Sequence, residues 1–584
     1  MRRSRYPSDA LRLVVSSCAT VALMAPLLVV TGSTTAAADP TRTETAWTSS
    51  SPVDAVVSSM VTLRVPLPVE VAPHPDQCDN LSYLRWRSSA GPEDSAAADR
   101  ILVAQPGVFE GAGAFDSVAR NTVAAAAADG NSVEFWALDR RSNCLEDHHG
   151  VQAALKTGSF DTAANYYFDG EEVDGRTFAG YADGTDTQWL ESQGLEQTLR
   201  DQYDILRLEL PDPAIRKDKV LCGGHSLGGF LTGYFAEWDF DGDAATTDDA
   251  GYNQCGGYFA LDTVIKAGMP AIGGPDLGEI PPILAGPLEQ ASLALDSAYP
   301  VLRLPAVINP ETTNLLALAG LASTLDPDGV NDLLDRAPNN TNIDLTLRTL
   351  LSKDAAMAIT GSPDVRDLNV TNEATVGALL DDNSQPLGFL QSSMGFLTGG
   401  PIVDKSFPLP SSVALSDTGS GAFGDAHKAS PAVYGNPDVT YRWLDYDEVG
   451  TAASLPNEGD YTNRASEVSS VAEVARSLSE PPLDFTEWYF PSRLNFDLGQ
   501  TAAPSIAENH LHLDGVSRNP IVTFHGGGGI SLPESNNPAD VPIVLPGYNH
   551  IDVLTAAPVQ NNGRPEVVST TLARFASNPS AGGR

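Results

Sequence analysis

Residues 220–229 read Val-Leu-Cys-Gly-Gly-His-Ser-Leu-Gly-Gly. They contain a Gly-x-Ser-x-Gly motif at 224–228, preceded by a short apolar run at 219–222 and followed by apolar helical periodicity from Phe230. A strand, a sharp turn and a helix in this order expose the serine hydroxyl above a sheet edge and direct amides of the helix N-terminus towards it. Ser226 is therefore a candidate nucleophile. A plain glycine-rich turn is the alternative, because the pentapeptide alone is a weak signal.

Strands and helices alternate on both sides of this motif. Apolar or alternating patterns predict strands at residues 61–71, 81–87, 100–107, 132–138, 256–262, 519–525 and 541–545. Apolar periodicity predicts helices at 116–128, 188–208, 314–325, 465–478 and 566–576. This alternation indicates crossover connections and a mostly parallel sheet, hence an α/β fold. Residues 39–58, rich in Thr, Ser and Ala, are expected to form a loose lead-in.

The chain of 584 residues is too long for one ordinary core, so an insertion or a second domain is expected. From about residue 265 to 500, Pro, Gly, Asn and Asp recur between helical stretches. We therefore divide the chain into an N-terminal core part at 39–264, an insertion at 265–500 and a C-terminal core part at 501–584.

The first 38 residues have the pattern of a secretory signal. Arginines at 2, 3 and 5 are followed by a mostly apolar run at 11–30 and by three alanines at 36–38. Cleavage before Asp39 is expected, which leaves an exported protein without a stable membrane anchor. A retained anchor is the alternative, although Pro26 interrupts the apolar run.

Four cysteines follow the predicted cleavage point: Cys78, Cys144, Cys222 and Cys255. An even number in an exported chain indicates two disulfides. Cys78 with Cys144 and Cys222 with Cys255 is one of three possible connectivities, and the sequence does not choose among them.

The net charge of the chain limits the classes of partner that it can bind. The 35 basic and 75 acidic side chains give a net charge of −40, which argues against nucleic acid and anionic membrane surfaces. The acidic stretch from Asp239 to Asp249 resembles a calcium loop only in part, because its glycine comes one place early and position twelve is Ala250. A solvated loop is favoured, and no metal or cofactor is expected. The oligomeric state cannot be read from the sequence.

A serine nucleophile needs an imidazole to accept its proton. His550 directly follows the last predicted strand, from which its ring can reach a serine above the strand ends. His510, His512 and His525 are the alternatives. His225, inside the motif, is expected to pack near the turn.

The motif Gly-His-Ser-Leu-Gly-Gly, together with Tyr-Asn-His-Ile-Asp at 548–552, resembles the α/β-hydrolase superfamily, particularly exported lipase- and esterase-like members. The resemblance covers about 60–270 and 500–584. It implies a twisted, mainly parallel sheet with helices on both faces, a cap formed by the insertion, and hydrolysis of a small-molecule or lipid ester through an acyl-enzyme. Ser226 would be the nucleophile and His550 the base. The oxyanion amides would be those of Leu227 and of Gly107 or Val108.

The third member of the triad departs from the family pattern. The strand at 519–525 runs into four glycines at 526–529, and no carboxylate follows until Glu534 and Asp540. Some lipases place the acid one strand earlier, which favours Asp262 here. Asp552 is expected to be structural.

Two other functions remain compatible with the sequence. Acyl transfer to a hydroxyl would use the same serine site. A binding protein on an inactive hydrolase scaffold would explain the missing carboxylate.

Overall fold

A computed structural model describes residues 41–268, 282–303, 308–407, 428–451, 461–530, 537 and 540–579. For residues 282–285, at the start of one helix, it describes the backbone only. The predicted signal segment at 1–38 and the alternative acid Glu534 lie outside the described residues. Within the described ranges, no helix combines the length and the apolar character needed to cross a bilayer.

A nine-stranded sheet organises the fold, in the order β1-β2-β3-β5-β4-β6-β7-β12-β13. The pairs from β5 through β4, β6, β7 and β12 to β13 are parallel, and the pairs among β1, β2, β3 and β5 are antiparallel. The sheet is therefore mixed, with a parallel centre. Its strands are β1 Arg42–Trp47, β2 Val56–Arg64, β3 Asn80–Ser88, β4 Arg100–Gln105, β5 Val133–Leu138, β6 Val220–His225, β7 Gly257–Leu261, β12 Ile521–Gly526 and β13 Ile543–Leu545.

Side chains alternate along the central strands, so the sheet separates two apolar cores. Leu102 and Ala104 of β4 belong to one core, and Ile101 and Val103 belong to the other. The first core includes helices α1 Asp116–Ala128 and α17 Val567–Ser577. The second includes α4 Leu195–Glu209 and α6 Leu227–Glu237. Helices thus cover both faces, which explains why the parallel strands read as continuous apolar runs.

The remaining helices of the sheet-bearing part are short, at α2 His149–Thr157, α3 Phe160–Ala164, α5 Pro213–Lys219, α15 Pro504–Ala507 and α16 Asp552–Thr555. Residues 265–500, as far as they are described, add no strand to the nine-stranded sheet. Their helices are α7 Pro282–Ala298, α8 Pro310–Leu325, α9 Leu333–Arg336, α10 Thr341–Leu351, α11 Ala355–Thr360, α12 Asn372–Leu380, α13 Val471–Ser479 and α14 Ser492–Asp497. Two small antiparallel ribbons pair β8 Gly395–Thr398 with β11 Arg442–Asp445, and β9 Ile402–Asp404 with β10 Ala429–Pro431.

Several predicted bounds differ from the structure, among them the start of the helix expected at 465–478, which begins at Val471. Three differences are larger. The expected lead-in at 39–58 contains edge strand β1 and the start of β2, because backbone pairing with β2 overrides the weak pattern of an exposed segment. The strand expected at 61–71 ends at Arg64, since Pro66 and Pro68 cannot donate to a ladder. The helix expected at 188–208 is divided, and α4 begins only after Gly194.

The four described cysteines form two disulfides, Cys78–Cys144 and Cys222–Cys255, with Cα atoms 5.1 and 5.8 Å apart. The structure thereby selects one of the three connectivities. Such bonds fit an extracellular protein. Cys222 lies in β6, directly before the Ser226 turn, so the second disulfide ties that strand to the segment leading into β7.

We predict that the double substitution Cys222→Ala/Cys255→Ala lowers the free energy of unfolding by ~3–4 kcal/mol, because the unfolded chain regains the entropy of the closed loop. Equilibrium urea unfolding followed by tryptophan fluorescence measures the change. The matched control is Cys78→Ala/Cys144→Ala, which opens the longer loop and should cost about 4 kcal/mol. Unchanged stability of the first variant would contradict the disulfide beneath the turn.

Candidate functional site

The turn between β6 and α6 leaves no room for side chains beside Ser226. A Cβ added to Gly224 would lie 2.4 Å from the carbonyl oxygen of Gln105, and one added to Gly228 would lie 2.0 Å from the same oxygen. Ser226 has φ 53° and ψ −118°, a strained conformation for a residue with a side chain. The glycines thus allow β4, β6 and α6 to approach closely enough to form this turn.

Backbone strain concentrates around this turn. Among the described residues, four that are not glycine have positive φ, and three of them are Phe109, Ser226 and Asp262. These follow the carboxyl ends of β4, β6 and β7, three neighbouring parallel strands. Strained residues persist where surrounding structure holds them, and they cluster at functional sites. The carboxyl edge of the parallel sheet is therefore the candidate active site.

Asp262 and His550 form a buried pair at this edge. The Nδ1 of His550 lies 2.5 Å from Oδ2 of Asp262, and both side chains are almost fully buried. The other carboxylate oxygen, Oδ1, accepts the amide of Gly526 at 2.8 Å. Because Nδ1–H is donated to the carboxylate, Nε2 of His550 carries the lone pair that a general base needs.

The ring of His550 lies beside the Ser226 turn. Its centroid is 4.4 Å from the ring of His225, the residue that precedes Ser226. Burial lowers the pKa of His550 below its ordinary value and His225 lowers it further, although Asp262 acts in the opposite direction. A lowered pKa keeps the imidazole neutral and able to accept a proton at neutral pH.

The other histidines have different partners. His510 binds Glu237 with Nε2 at 2.6 Å, and His512 binds Asp239 with Nε2 at 2.7 Å, both near the far end of α6. His525 approaches Asp262 only to 3.9 Å. His550 is the histidine among these candidates that is hydrogen-bonded to Asp262. Its Nδ1 does not pair with the alternative acid Asp540.

The predicted oxyanion donors are distinguished by their partners. The amide of Gly107 donates to Oε2 of Glu110 and is not available to a ligand in this conformation. The amide of Val108 makes no hydrogen bond within the described part of the chain. Leu227 is the first residue of α6, where amides have no intrahelical acceptor. This geometry favours Leu227 and Val108 over Gly107.

The loop at 106–110 lies against Ser226, since a Cβ on Gly107 would be 3.1 Å from Cβ of Ser226. Arg140 holds this loop from behind. Its guanidinium donates to the carbonyls of Pro106 and Gly107, each at 2.6 Å, and to that of Glu110 at 3.2 Å. With its carbonyls bound to Arg140, the loop can direct amides towards Ser226.

Two buried side-chain pairs complete the site, and no sequence pattern predicted the role of either pair. Arg140 pairs with Glu487 at 2.5 Å, and His225 pairs through Nδ1 with Oε2 of Glu110 at 2.9 Å. The Nε2 of His225 contacts the carbonyl oxygen of His550 at 2.9 Å. A charged residue in the small-residue loop after β4, three positions beyond Gly107, was the available signal for Glu110. No local pattern marks Arg140 or Glu487.

Asp552 anchors the turn that carries His550 to two other segments, at residues 392–393 and at residue 469. Its buried carboxylate accepts the hydroxyls of Ser392 and Ser469 at 2.7 and 2.6 Å, and the amides of Ser393 and Asn549 at 2.9 and 2.7 Å. Burial raises the pKa of Asp552, and these donors oppose that effect. The expected structural position of Asp552 agrees with these contacts.

A largely apolar cavity, partly open to solvent, lies within residues 308–486 and against Phe109. Its wall includes Thr486, which bridges to Glu110, and Leu390. The next residue, Gln391, accepts the amide of Ile551 at 3.1 Å. The cavity therefore borders the loop after β4 through Phe109, and its wall is joined to the turn that carries His550 through the residue after Leu390. Leucines from α8, α9, α10 and α12 form much of the lining.

The acidic loop brings carboxylate oxygens of Asp239, Asp241 and Asp249 within 4.8 Å of one another. Asp239 is buried and is bonded by protein donors, the amide of Asp243 at 3.0 Å and His512. The other two are exposed or half-buried. Protein groups thus satisfy the most buried carboxylate.

No protein-family model matches the chain, and no curated protein matches it. Among solved structures it is similar to the peroxisomal alpha-beta-hydrolase Lpx1 of Saccharomyces cerevisiae, at 14% identity, with 91% of this chain and 93% of that chain covered and a TM-score of 0.27.

We predict that Asp552→Asn lowers the free energy of unfolding by ~2–4 kcal/mol, because the new amide cannot accept all four buried donors. The exposed control Asp514→Asn, which loses a pair with Arg518, should change it by ~0.5 kcal/mol or less. Urea unfolding of both variants measures the difference. Equal effects would contradict the anchoring role of Asp552.

Proposed function

We propose that this chain is an exported serine hydrolase of the α/β-hydrolase type that cleaves carboxylic esters through an acyl-enzyme. The observation that carries the proposal is the buried Asp262–His550 hydrogen bond beside the strained Ser226 turn. A nucleophile, a base in the correct tautomer and a carboxylate that orients it are the parts of a serine triad. Residues 265–500 would serve as the cap. The predicted signal and the two disulfides support export.

The reaction follows from these positions. Ser226 Oγ bonds to the ester carbonyl carbon while its proton passes to Nε2 of His550. The amides of Leu227 and Val108 stabilise the negative oxygen of the tetrahedral intermediate. The intermediate breaks the bond to the alcohol, which leaves with the proton from His550. Water then repeats the sequence on the acyl-enzyme and releases the carboxylic acid. Throughout, Asp262 orients the imidazole and stabilises its protonated form.

The apolar cavity supports an ester with an apolar acyl group. Its lining is mostly aliphatic, as is common in sites that bind apolar groups of small molecules. It borders the loop that carries Val108, so an acyl chain attached to Ser226 could enter it past Phe109. The net charge of −40 repels anionic substrates from the protein as a whole.

We predict that a fluorescent phosphonate labels the wild type and does not label Ser226→Ala, because only an activated serine attacks phosphorus. Asp262→Asn should lower kcat by ~10³- to 10⁴-fold, since an amide that donates to Nδ1 places the hydrogen of the neutral imidazole on Nε2, where it cannot accept the serine proton. The matched controls are Glu534→Gln and Asp540→Asn, which should keep the wild-type kcat on a p-nitrophenyl ester. Equal labelling of Ser226→Ala would contradict the hypothesis that Ser226 is the nucleophile of an enzyme. Loss of rate in Glu534→Gln alone would contradict the assignment of Asp262 as the triad acid.

We predict that kcat/KM for p-nitrophenyl esters rises by up to ~4-fold per added methylene until the cavity is filled, as expected for ~0.8 kcal/mol per buried methylene. Leu350→Trp fills part of the cavity and should end this rise at a shorter chain, with the butanoate ester unaffected. The control Leu345→Trp lies on the same helix, is 46% exposed and is outside the cavity, so it should keep the wild-type series. Identical series in both variants would exclude this cavity as the acyl site.

A further inference from the structure

His225 is buried, and both of its ring nitrogens face acceptors. Nδ1 lies 2.9 Å from Oε2 of Glu110, and Nε2 lies 2.9 Å from the carbonyl oxygen of His550. A backbone carbonyl can only accept, and an ionised carboxylate can only accept. Two hydrogen bonds of this kind require a hydrogen on each nitrogen, and a neutral imidazole has only one. The contacts of His225 therefore correspond to an imidazolium.

We propose that His225 is a positioning residue that works in its protonated form, joining the loop after β4 to the turn of His550 and holding His550 neutral in mildly acidic solution. The inference rests on the proposed function, because it assigns His550 as the base. His225 occupies the first x position of the Gly-x-Ser-x-Gly motif. In this role it orients the triad and lowers the pKa of His550 without contact with the reacting atoms.

The positioning role follows from a chain of contacts. The Oε2 that binds His225 also accepts the amide of Gly107, so His225 and Glu110 together fix the loop that presents Val108. Arg140 holds the carbonyl side of the same loop. On its other side, His225 holds the backbone of His550 itself. One imidazolium thus sets the distance between the oxyanion loop and the base.

The tuning role follows from charge. Three titratable groups act on the pKa of His550: Asp262, His225 and Glu110. A fourth, His525, lies 3.9 Å from Asp262. Burial alone would lower the pKa of His225, but Glu110, Asp262 and the carbonyl of His550 together outweigh burial and raise it above the ordinary value. The ring centroids of His225 and His550 are 4.4 Å apart, so a positive charge on His225 opposes protonation of His550. Because only neutral His550 accepts a proton, this charge extends activity to lower pH.

The first test is the pH dependence of kcat/KM for His225→Asn. Loss of the charge should raise the pKa of His550, so the acidic limb should move up by about one pH unit, which is a ~10-fold loss on that limb relative to the variant's own plateau. A purely structural role would lower the plateau without moving the limb. The matched control is His512→Asn, which breaks another buried histidine–carboxylate pair at the far end of α6 and should keep the wild-type limb.

The second test needs no activity. In protein labelled with ¹⁵N-histidine, His225, assigned by its loss in His225→Asn or by its change in Glu110→Gln, should show two protonated ring nitrogens at about pH 7. A neutral His225, or an unshifted acidic limb in a folded His225→Asn, would overturn the proposal. If His225→Asn does not fold, Glu110→Gln provides the assignment and the spectrum decides. If phosphonate fails to label Ser226 while the imidazolium persists, the proposed function fails and the protonation state stands.

Discussion

The hydrogen bond between Asp262 and His550 joins positions 288 residues apart in the chain, and the geometry of the site depends on it. It connects the end of β7 to the turn after β13, so the pair requires these two segments to lie side by side although residues 265–500 separate them in the chain. The glycines at 526–529 serve this pair. A Cβ on Gly529 would lie 2.3 Å from Oδ2 of Asp262, and Gly526 donates its amide to Oδ1. The strand that lacks a carboxylate of its own therefore makes room for the carboxylate of its neighbour.

Close backbone approach sets a second constraint, on the loop after β4. A Cβ on Gly111 would lie 2.4 Å from the carbonyl oxygen of Asp484, and one on Gly113 would lie 2.5 Å from that of Leu483. Both amides donate to this same segment, Gly111 to Phe485 and Gly113 to Asp484, each at 2.9 Å. The small residues after β4 thus let residues 483–487 pack directly on the loop. Movement of the two segments must be coupled, because the hydrogen bonds join their backbones.

The sequence predicted the parts of the site that depend on neighbours along the chain. β6, the Ser226 turn and α6 follow from one ten-residue pattern, and α1 was predicted with its observed bounds because its alanines favour a helix. Features formed by distant residues could not be predicted in this way. Strand β1 depends on pairing with β2, and the hydrogen bond that occupies the amide of Gly107 depends on the rotamer of Glu110. Nothing local to Arg140 or Glu487 shows that they meet.

The buried charges around the loop are better explained by geometry than by stability. Burying Arg140, Glu487, Glu110 and His225 carries a desolvation penalty that well-packed apolar residues would avoid. Apolar residues, however, cannot bind three carbonyls on one side of a loop or hold a glycine amide and a histidine ring with one carboxylate oxygen. Amides stabilise a developing oxyanion only if they are oriented before the reaction begins. We infer that these charges persist because each satisfies the other while fixing backbone groups that no apolar side chain could orient.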